Sequence, residues 1–158
     1  MIEIVYNNLK KLKEKNIPNP ELDLRILLSH ASKNRKNIFL NNIDISDIDV
    51  DKFNLFISKR LNDQPVSKII NKKSFWKSDF FVNFDVLDPR PETELIVEEA
   101  IKNYQNKNQK LKILDIGTGS GCISISLAKE FPNSSLTAID ISEKALRVAK
   151  KNIIQNKL

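Results

Sequence analysis

The chain of 158 residues contains one cysteine, one histidine, three glycines and no apolar run approaching the roughly 20 residues that span a bilayer. A single cysteine excludes an internal disulfide, and His30 has no cysteine or carboxylate at metal-ligand spacing. The first residues also lack the basic and apolar segments of a secretory signal. We therefore expect a cytoplasmic protein with no membrane span and no metal site.

The composition, with 41% hydrophobic and 29% charged residues, is typical of a globular protein with one or two small domains. The net charge is +6, and residues 1–84 hold 15 basic against 10 acidic side chains. Two interpretations of this basic half stay open. In the favoured interpretation, the lysines lie on solvent-exposed helix faces. In the other, they contact RNA or an acidic protein partner.

All three glycines fall within five residues, between two apolar segments that each lead into an acid. Residues 111–116 predict a strand that contains Asp115, and a helix is predicted from residue 121 to 130. Residues 135–139 predict a second strand that is followed by Asp140, about 20 residues past the last glycine. Glycines allow tight backbone turns and close approach of a ligand, and the following helix start offers N–H groups. This pattern predicts a cofactor-binding turn.

The spacing of the glycines distinguishes among cofactors. A dinucleotide fingerprint would need glycine at Cys122, whereas the chain reads D-x-G-x-G-x-G from Asp115 to Gly121. This run resembles motif I of the Rossmann-like S-adenosylmethionine methyltransferases. The candidate cofactor-binding residues are Asp115, Gly117, Thr118, Gly119, Ser120, Gly121 and Asp140. The alternative is a tight strand-to-helix turn that binds no ligand.

The candidate residues carry different expectations. Asp140 is expected to accept both ribose hydroxyls. For Asp115 we expect a mixed role, fixing the turn and meeting the methionine amino group. Thr118 and Ser120 either contact the cofactor or are simply small turn residues. Cys122 is expected to be buried packing rather than a reactive thiol.

Hydrophobic periodicity predicts a helical front half followed by alternating strands and helices. Helices are expected at residues 2–15, 21–32, 34–40, 47–62, 93–104 and 142–155, with a β-hairpin between 74 and 84. The predicted domains are a helical substrate-recognition domain at 1–67, a hairpin connector at 68–88 and a partial Rossmann-like methyltransferase domain at 89–158. The fold class is therefore α/β. Two parallel strands make an incomplete sheet, so we expect the chain to be part of a longer protein.

Several further motifs together resemble the HemK/PrmC release-factor glutamine methyltransferases. They are Arg60, Gln64-Pro65-Val66-Ser67-Lys68-Ile69, Phe75-Trp76, Val86-Leu87-Asp88-Pro89-Arg90-Pro91-Glu92-Thr93-Glu94 and Leu114-Asp115-Ile116-Gly117-Thr118-Gly119-Ser120-Gly121. The family usually has glycine where this chain has Asp63 and Asn71. Because Asn and Asp tolerate a left-handed backbone, we expect both turns to survive.

The resemblance implies an S-adenosylmethionine-dependent enzyme that methylates the glutamine amide of the Gly-Gly-Gln motif in peptide-chain release factors. Its catalytic Asn-Pro-Pro-Tyr motif is absent from this sequence. No catalytic residue is therefore assigned, and the chain alone is expected to be inactive. The alternatives are a methyltransferase that acts on RNA or another protein, and a non-catalytic module that docks a release factor or ribosomal component.

The residues around Pro89 and Pro91 also allow two interpretations. Arg90 and the acids from Glu92 to Glu94 either close over the cofactor and order the substrate loop, or cap a helix together with Thr93. Trp76, with Phe75, Phe80 and Phe81, is expected to pack in a hairpin core or between domains rather than form a binding face.

Overall fold

The computed structural model describes residues 2–33 and 45–158, which divide into two compact units between Ile70 and Asn71. The helix predicted at residues 34–40 lies outside the described residues. The division falls three residues after the predicted end of the first domain. The largest difference from the predicted domains concerns the hairpin, which belongs to the second unit.

The first unit is helical. Its elements are α1 (Ile2–Glu14), α2 (Pro20–Ala31), a 3-10 turn (Ile45–Asp47), α3 (Val50–Leu61) and α4 (Val66–Ile70). Pro20 opens α2 because its fixed φ suits a first helical position, and the Asp49 carboxylate caps α3 by accepting from the Lys52 N–H at 3.0 Å. The helix predicted at 47–62 therefore begins only after Asp49, and the short α4 was not predicted. The core includes Leu12, Leu24, Leu27, Leu28, Phe53 and Ile57.

One ion pair joins α2 to α3 inside this unit. Arg60 Nε donates to Asp23 Oδ2 at 2.7 Å, and both side chains are nearly buried. The same guanidinium donates to the Gln64 carbonyl at 3.2 Å, which fixes the turn after α3. Within that turn Asp63 has a φ of 60°, so the prediction of a left-handed residue there is confirmed.

The second unit begins with a hairpin and continues as an α/β segment. Its elements are β1 (Lys73–Phe75), β2 (Ser78–Phe80), a 3-10 turn (Pro91–Thr93), α5 (Glu94–Asn103), β3 (Lys112–Ile116), α6 (Cys122–Glu130), β4 (Ser135–Ile139) and α7 (Glu143–Gln155). Strands β3 and β4 pair in parallel, with Asp115 opposite Ala138. The predicted strand–helix–strand–helix order is thereby confirmed. Because parallel strands end at the same edge, the turn after β3 and Asp140 after β4 lie together.

The two faces of the β3–β4 pair differ in burial. Ile113 and Leu136 pack on the core beside residues of α5 and α6, such as Val97 and Ile125. Leu114 and Ile116 alternate with them along β3, and Ile116 is 73% exposed. Since side chains alternate across a strand, one face of the pair is covered by helices and the other is open.

The hairpin is shorter than predicted and is not a separate connector. Phe75 and Phe80 pack edge-to-face at 6.1 Å in the same core as α5 and α6, which confirms the expected hairpin core. The second strand ends at Phe80 instead of reaching residue 84. The physical reason is that the next residue, Phe81, gives both its backbone N–H and its carbonyl to the Asn152 side chain rather than to a strand partner.

Two carboxylates pin the hairpin turn. Trp76 has a left-handed φ of 53°, and its backbone N–H donates to Glu94 Oε1 at 2.9 Å. Its indole Nε1 donates to the buried Glu130 at 2.9 Å. Glu94 thus acts on the hairpin, and the Thr93 side chain makes no cap hydrogen bond to α5, so of the two alternatives the one in which Thr93 caps this helix is wrong. Asn71 also has a left-handed φ of 53°, as predicted.

In the described part of the chain, residues 2–33 and 45–158, no helix has both the length and the apolarity to cross a bilayer.

Candidate functional site

The turn between β3 and α6 contains three glycines with a left-handed backbone. A larger residue is disfavoured at these positions for two different reasons. Gly117, Gly119 and Gly121 have φ values of 80°, 55° and 80°. A Cβ built on Gly117 or Gly119 would meet no atom within 4 Å, so these two glycines face open space. At Gly121 it would lie 3.2 Å from Ile125 Cδ1 and 3.4 Å from Ala149 Cβ. Gly117 and Gly119 therefore leave room beside the backbone, whereas Gly121 allows helix packing.

Most N–H groups of the turn are already occupied. Gly117 and Thr118 donate to the Ile139 carbonyl at 2.8 and 3.0 Å, and the Gly121 N–H donates to the Thr118 carbonyl at 2.8 Å. The Gly119 N–H donates to Asp140 Oδ2 at 2.8 Å. The donors of Gly117, Thr118 and Gly119 tie the turn to the end of β4, and the Gly121 donor closes the turn on Thr118. A turn whose donors are taken in this way is a poor cradle for a phosphate.

Asp140 lies at the carboxyl end of β4 and faces the turn. Its Oδ2 accepts from Gly119, and its Oδ1 accepts from the Ser142 N–H at 2.9 Å. These backbone hydrogen bonds hold the pKa of the Asp140 carboxyl below its usual range. Each oxygen of an ionised carboxylate accepts more than one hydrogen bond, so Asp140 keeps acceptor capacity for a ligand.

Asp115 is held by two buried hydroxyls. Its Oδ2 accepts from Thr118 Oγ1 at 2.8 Å and from Ser124 Oγ. The two hydroxyl oxygens are 3.0 Å apart, and their two hydrogens are best used toward the charged carboxylate, because charge-assisted hydrogen bonds are the stronger ones. Asp115 therefore fixes the turn through side-chain hydroxyls.

Ser124 was missed by the sequence analysis. It lies in the first turn of α6, is 4% exposed and faces the end of β3. The available signal was a serine within an apolar helix start, between Ile123 and Ile125. A buried hydroxyl in such a position needs a partner, and the strand-end carboxylate is the one it finds.

The remaining predicted residues lie inside the turn and are buried. Ser120 is 3% exposed, and its side chain hydrogen-bonds the Cys122 thiol. Thr118 is 6% exposed and is committed to Asp115. Burial raises the pKa of the Cys122 thiol, so this cysteine is packing, as expected. The hydroxyls of Thr118 and Ser120 thus support the turn from within.

The two carboxylates bracket the turn. Asp115 holds Thr118, and Asp140 holds the next residue, Gly119. Within the described residues no group of three or more His, Cys, Asp or Glu side chains is arranged to hold a metal ion. The arrangement is a pair of carboxylate acceptors beside an open glycine backbone.

Comparison with known proteins adds family information to this geometry. Residues 9–70 match the PrmC N-terminal domain, and residues 107–158 match a methyltransferase domain. The chain belongs to the HemK/PrmC family. The two matched segments fall in the two structural units. The helical unit, which ends at Ile70, and the second unit, Asn71–Leu158, which we call the glycine-turn unit, therefore correspond to separate family domains.

Three relatives illustrate the similarity. A bifunctional methyltransferase of Rickettsia typhi is 37% identical over 98% of this chain and 33% of its own length. Release factor glutamine methyltransferases of Leptospira interrogans and Flavobacterium psychrophilum are 38% and 53% identical, over 91% and 60% of this chain and 51% and 34% of their own lengths. The chain thus spans about a third to a half of the relatives that it matches.

Proposed function

We propose that the glycine-turn unit binds S-adenosylmethionine and that the protein serves the methylation of the glutamine amide in the Gly-Gly-Gln motif of peptide-chain release factors, in the cytoplasm. The observation that carries this proposal is the donor and acceptor balance of the turn. Four of its N–H groups are engaged internally, while the ionised Asp140 retains acceptor capacity. S-adenosylmethionine offers ribose hydroxyls, an ammonium and a sulfonium, and it has no phosphate.

The residues present fit this cofactor. Asp140 would accept the ribose hydroxyls, and the open space beside Gly117 and Gly119 would allow the cofactor close to the main chain. Asp115, fixed by Thr118 and Ser124, would keep a second negative charge near the positively charged end. The cofactor, when bound, supplies an electrophilic methyl group.

The substrate part of the proposal rests on the family. Relatives that carry the name release factor glutamine methyltransferase align with most of this chain. Methylating an amide nitrogen, a poor nucleophile, is chiefly a matter of positioning it in line with the methyl group. The Asn-Pro-Pro-Tyr motif that the family uses for this task is absent from the sequence. We therefore expect this polypeptide to bind cofactor without transferring methyl groups to a release factor by itself.

Calorimetric titration with S-adenosylhomocysteine tests the proposal, with NAD as the phosphate-bearing comparison. Wild-type protein should bind S-adenosylhomocysteine, and Asp140→Ala should weaken binding about tenfold or more because the ribose loses its acceptor. Glu143→Gln is the matched control, since Glu143 is an exposed acid three residues after Asp140 and pairs with Arg147, on the same helix. Absence of heat with S-adenosylhomocysteine, or equal binding of NAD, would contradict the proposal and favour a docking module.

A further inference from the structure

Asn152 of α7 is a fully buried polar side chain whose hydrogen-bonding groups are all used. Its Nδ2 donates to the Ser120 carbonyl at 2.8 Å and to the Phe81 carbonyl at 2.9 Å. Its Oδ1 accepts from the Phe81 N–H at 2.7 Å. The side chain is 0% exposed. One amide therefore joins three segments that are far apart in sequence: α7, the residue after the hairpin and the glycine turn.

The bond to Ser120 acts on the shape of the turn. It fixes the peptide plane that leads into Gly121, the left-handed residue at the start of α6. One helical turn earlier in α7, Ala149 packs against the same glycine, at 3.4 Å from where a Cβ would stand. Helix α7 thus supports the turn at two adjacent points, by contact through Ala149 and by a hydrogen bond through Asn152.

The bonds to Phe81 attach a second segment to the same amide. Phe81 is the residue at which the hairpin ladder stops, and the chain continues from it toward the Pro91–Thr93 turn. Both backbone groups of Phe81 are satisfied by Asn152 and not by a strand. Loss of the amide would leave one buried and two partly buried backbone groups without this partner, which costs more than the loss of an exposed hydrogen bond.

We propose that Asn152 is a positioning residue for the cofactor site, because it holds the Ser120 carbonyl and thereby the left-handed path of the glycine turn. The proposal rests on the proposed function, since it assigns Asn152 a role in cofactor affinity as well as in stability. Asn152→Asp is the sharpest change. It keeps the acceptor for the Phe81 N–H but turns a carboxylate oxygen toward two carbonyl oxygens.

Asn156→Ala is the matched control. Asn156 follows directly after the last residue of α7 and is half-buried. Its Nδ2 donates to the backbone carbonyls of Asn152 at 3.0 Å and Asp79 at 3.4 Å, and its Oδ1 accepts from Lys129 at 2.6 Å, so its side chain makes none of these bonds to the glycine turn. Unfolding by urea and calorimetric binding of S-adenosylhomocysteine are measured for each variant at a temperature where it is fully folded. Asn152→Asp should lose affinity about tenfold or more, whereas Asn156→Ala should bind within about twofold of wild type. Wild-type affinity in folded Asn152→Asp would overturn the proposal.

A measurement on the wild-type protein keeps the proposal testable if Asn152→Asp does not fold. Side-chain amide exchange is followed by NMR with and without saturating S-adenosylhomocysteine. The Asn152 amide protons should exchange several-fold more slowly with ligand, and those of Asn156 should not change. Equal behaviour of the two asparagines would overturn the positioning role while leaving the proposed function intact. A wild-type protein that binds no S-adenosylhomocysteine would instead contradict the proposed function.

Discussion

Different kinds of interaction stabilise the interior of the helical unit and the interior of the glycine-turn unit. In the helical unit a core of leucine, isoleucine and phenylalanine joins the helices, and the Asp23–Arg60 pair adds one nearly buried ionic link. In the glycine-turn unit, directional hydrogen bonds fix particular loops: buried Ser124 and Asn152 donate, and buried Glu130 accepts. Apolar packing tolerates exchange of similar shapes, whereas a buried polar bond specifies one geometry. The buried polar hydrogen bonds indicate that the backbone of the glycine turn needs one precise shape, which the apolar core of the helical unit does not require of its helices.

The largest expected effect tests the ionic link of the helical unit. Asp23→Ala should lower the free energy of unfolding by about 3 kcal/mol, because it leaves the nearly buried Arg60 guanidinium without its carboxylate. Urea unfolding at neutral pH measures the loss. Pairing the change with Arg60→Met should recover most of it, since an apolar pair of similar volume needs no compensation. A double variant as unstable as Asp23→Ala would show that the pair does more than balance charge.

The next effect concerns Glu130, which joins the hairpin to α6. Its carboxylate accepts from Lys107, Lys77 and the Trp76 indole, and these bonds lower its pKa from 4.5 to about 2. Because the folded-state pKa is depressed, its stabilising contribution is complete above about pH 4.5 and disappears as the pH falls toward 2. Glu130→Gln should cost about 2 kcal/mol at pH 7, allowing for the exposure of the two lysines.

Urea unfolding of wild type and Glu130→Gln between pH 7 and pH 2 measures this contribution. The difference between the two proteins should shrink across the acid range. Glu99→Gln is the control, because Glu99 forms an exposed ion pair with Lys102 on the same helix, α5. It should change stability by less than about 0.5 kcal/mol. A Glu130 difference that is constant down to pH 2 would contradict the assignment.

The smallest effect compares two buried serines of α6. Ser124→Ala removes a hydroxyl that bonds the Asp115 carboxylate and should cost about 1 kcal/mol, together with weaker binding of S-adenosylhomocysteine. Ser126→Ala should be neutral or stabilising, since the Ser126 hydroxyl is buried and has no hydrogen-bond partner in the described residues. Thermal unfolding and calorimetry distinguish the two. Equal stability of both variants would remove Ser124 from the turn network.

The sequence predicted the elements that local patterns specify. The three glycines and the apolar strands indicated the turn, and Asp63 and Asn71 were expected to be left-handed because their side chains tolerate that backbone. The turn follows from the spacing of the glycines, and the left-handed backbone follows from the residue type. Neither prediction needs knowledge of residues far away along the chain.

The sequence did not reveal the partners of Glu130 and Asn152, which come from residues far away along the chain. Asn152 lies in a helix rich in polar residues, where the pattern alone does not separate a solvated amide from a buried one. The long-range bonds of Asn152 also explain why the hairpin is shorter than predicted. Residues 81–84 have the aromatic content of a strand, but the backbone N–H and carbonyl of Phe81 are bonded to the Asn152 side chain. Local propensity yields in such places to tertiary contacts.

The central claim is that the acceptor-rich glycine turn binds a sulfonium nucleoside, and titration of isotopically labelled protein with S-adenosylmethionine tests it most directly. The account predicts that backbone amide signals of Gly117, Gly119 and Ser142 shift on binding, while those of the α2 and α3 helices stay unchanged. Shifts confined to the helical unit, or no shifts at saturating concentration, would contradict it.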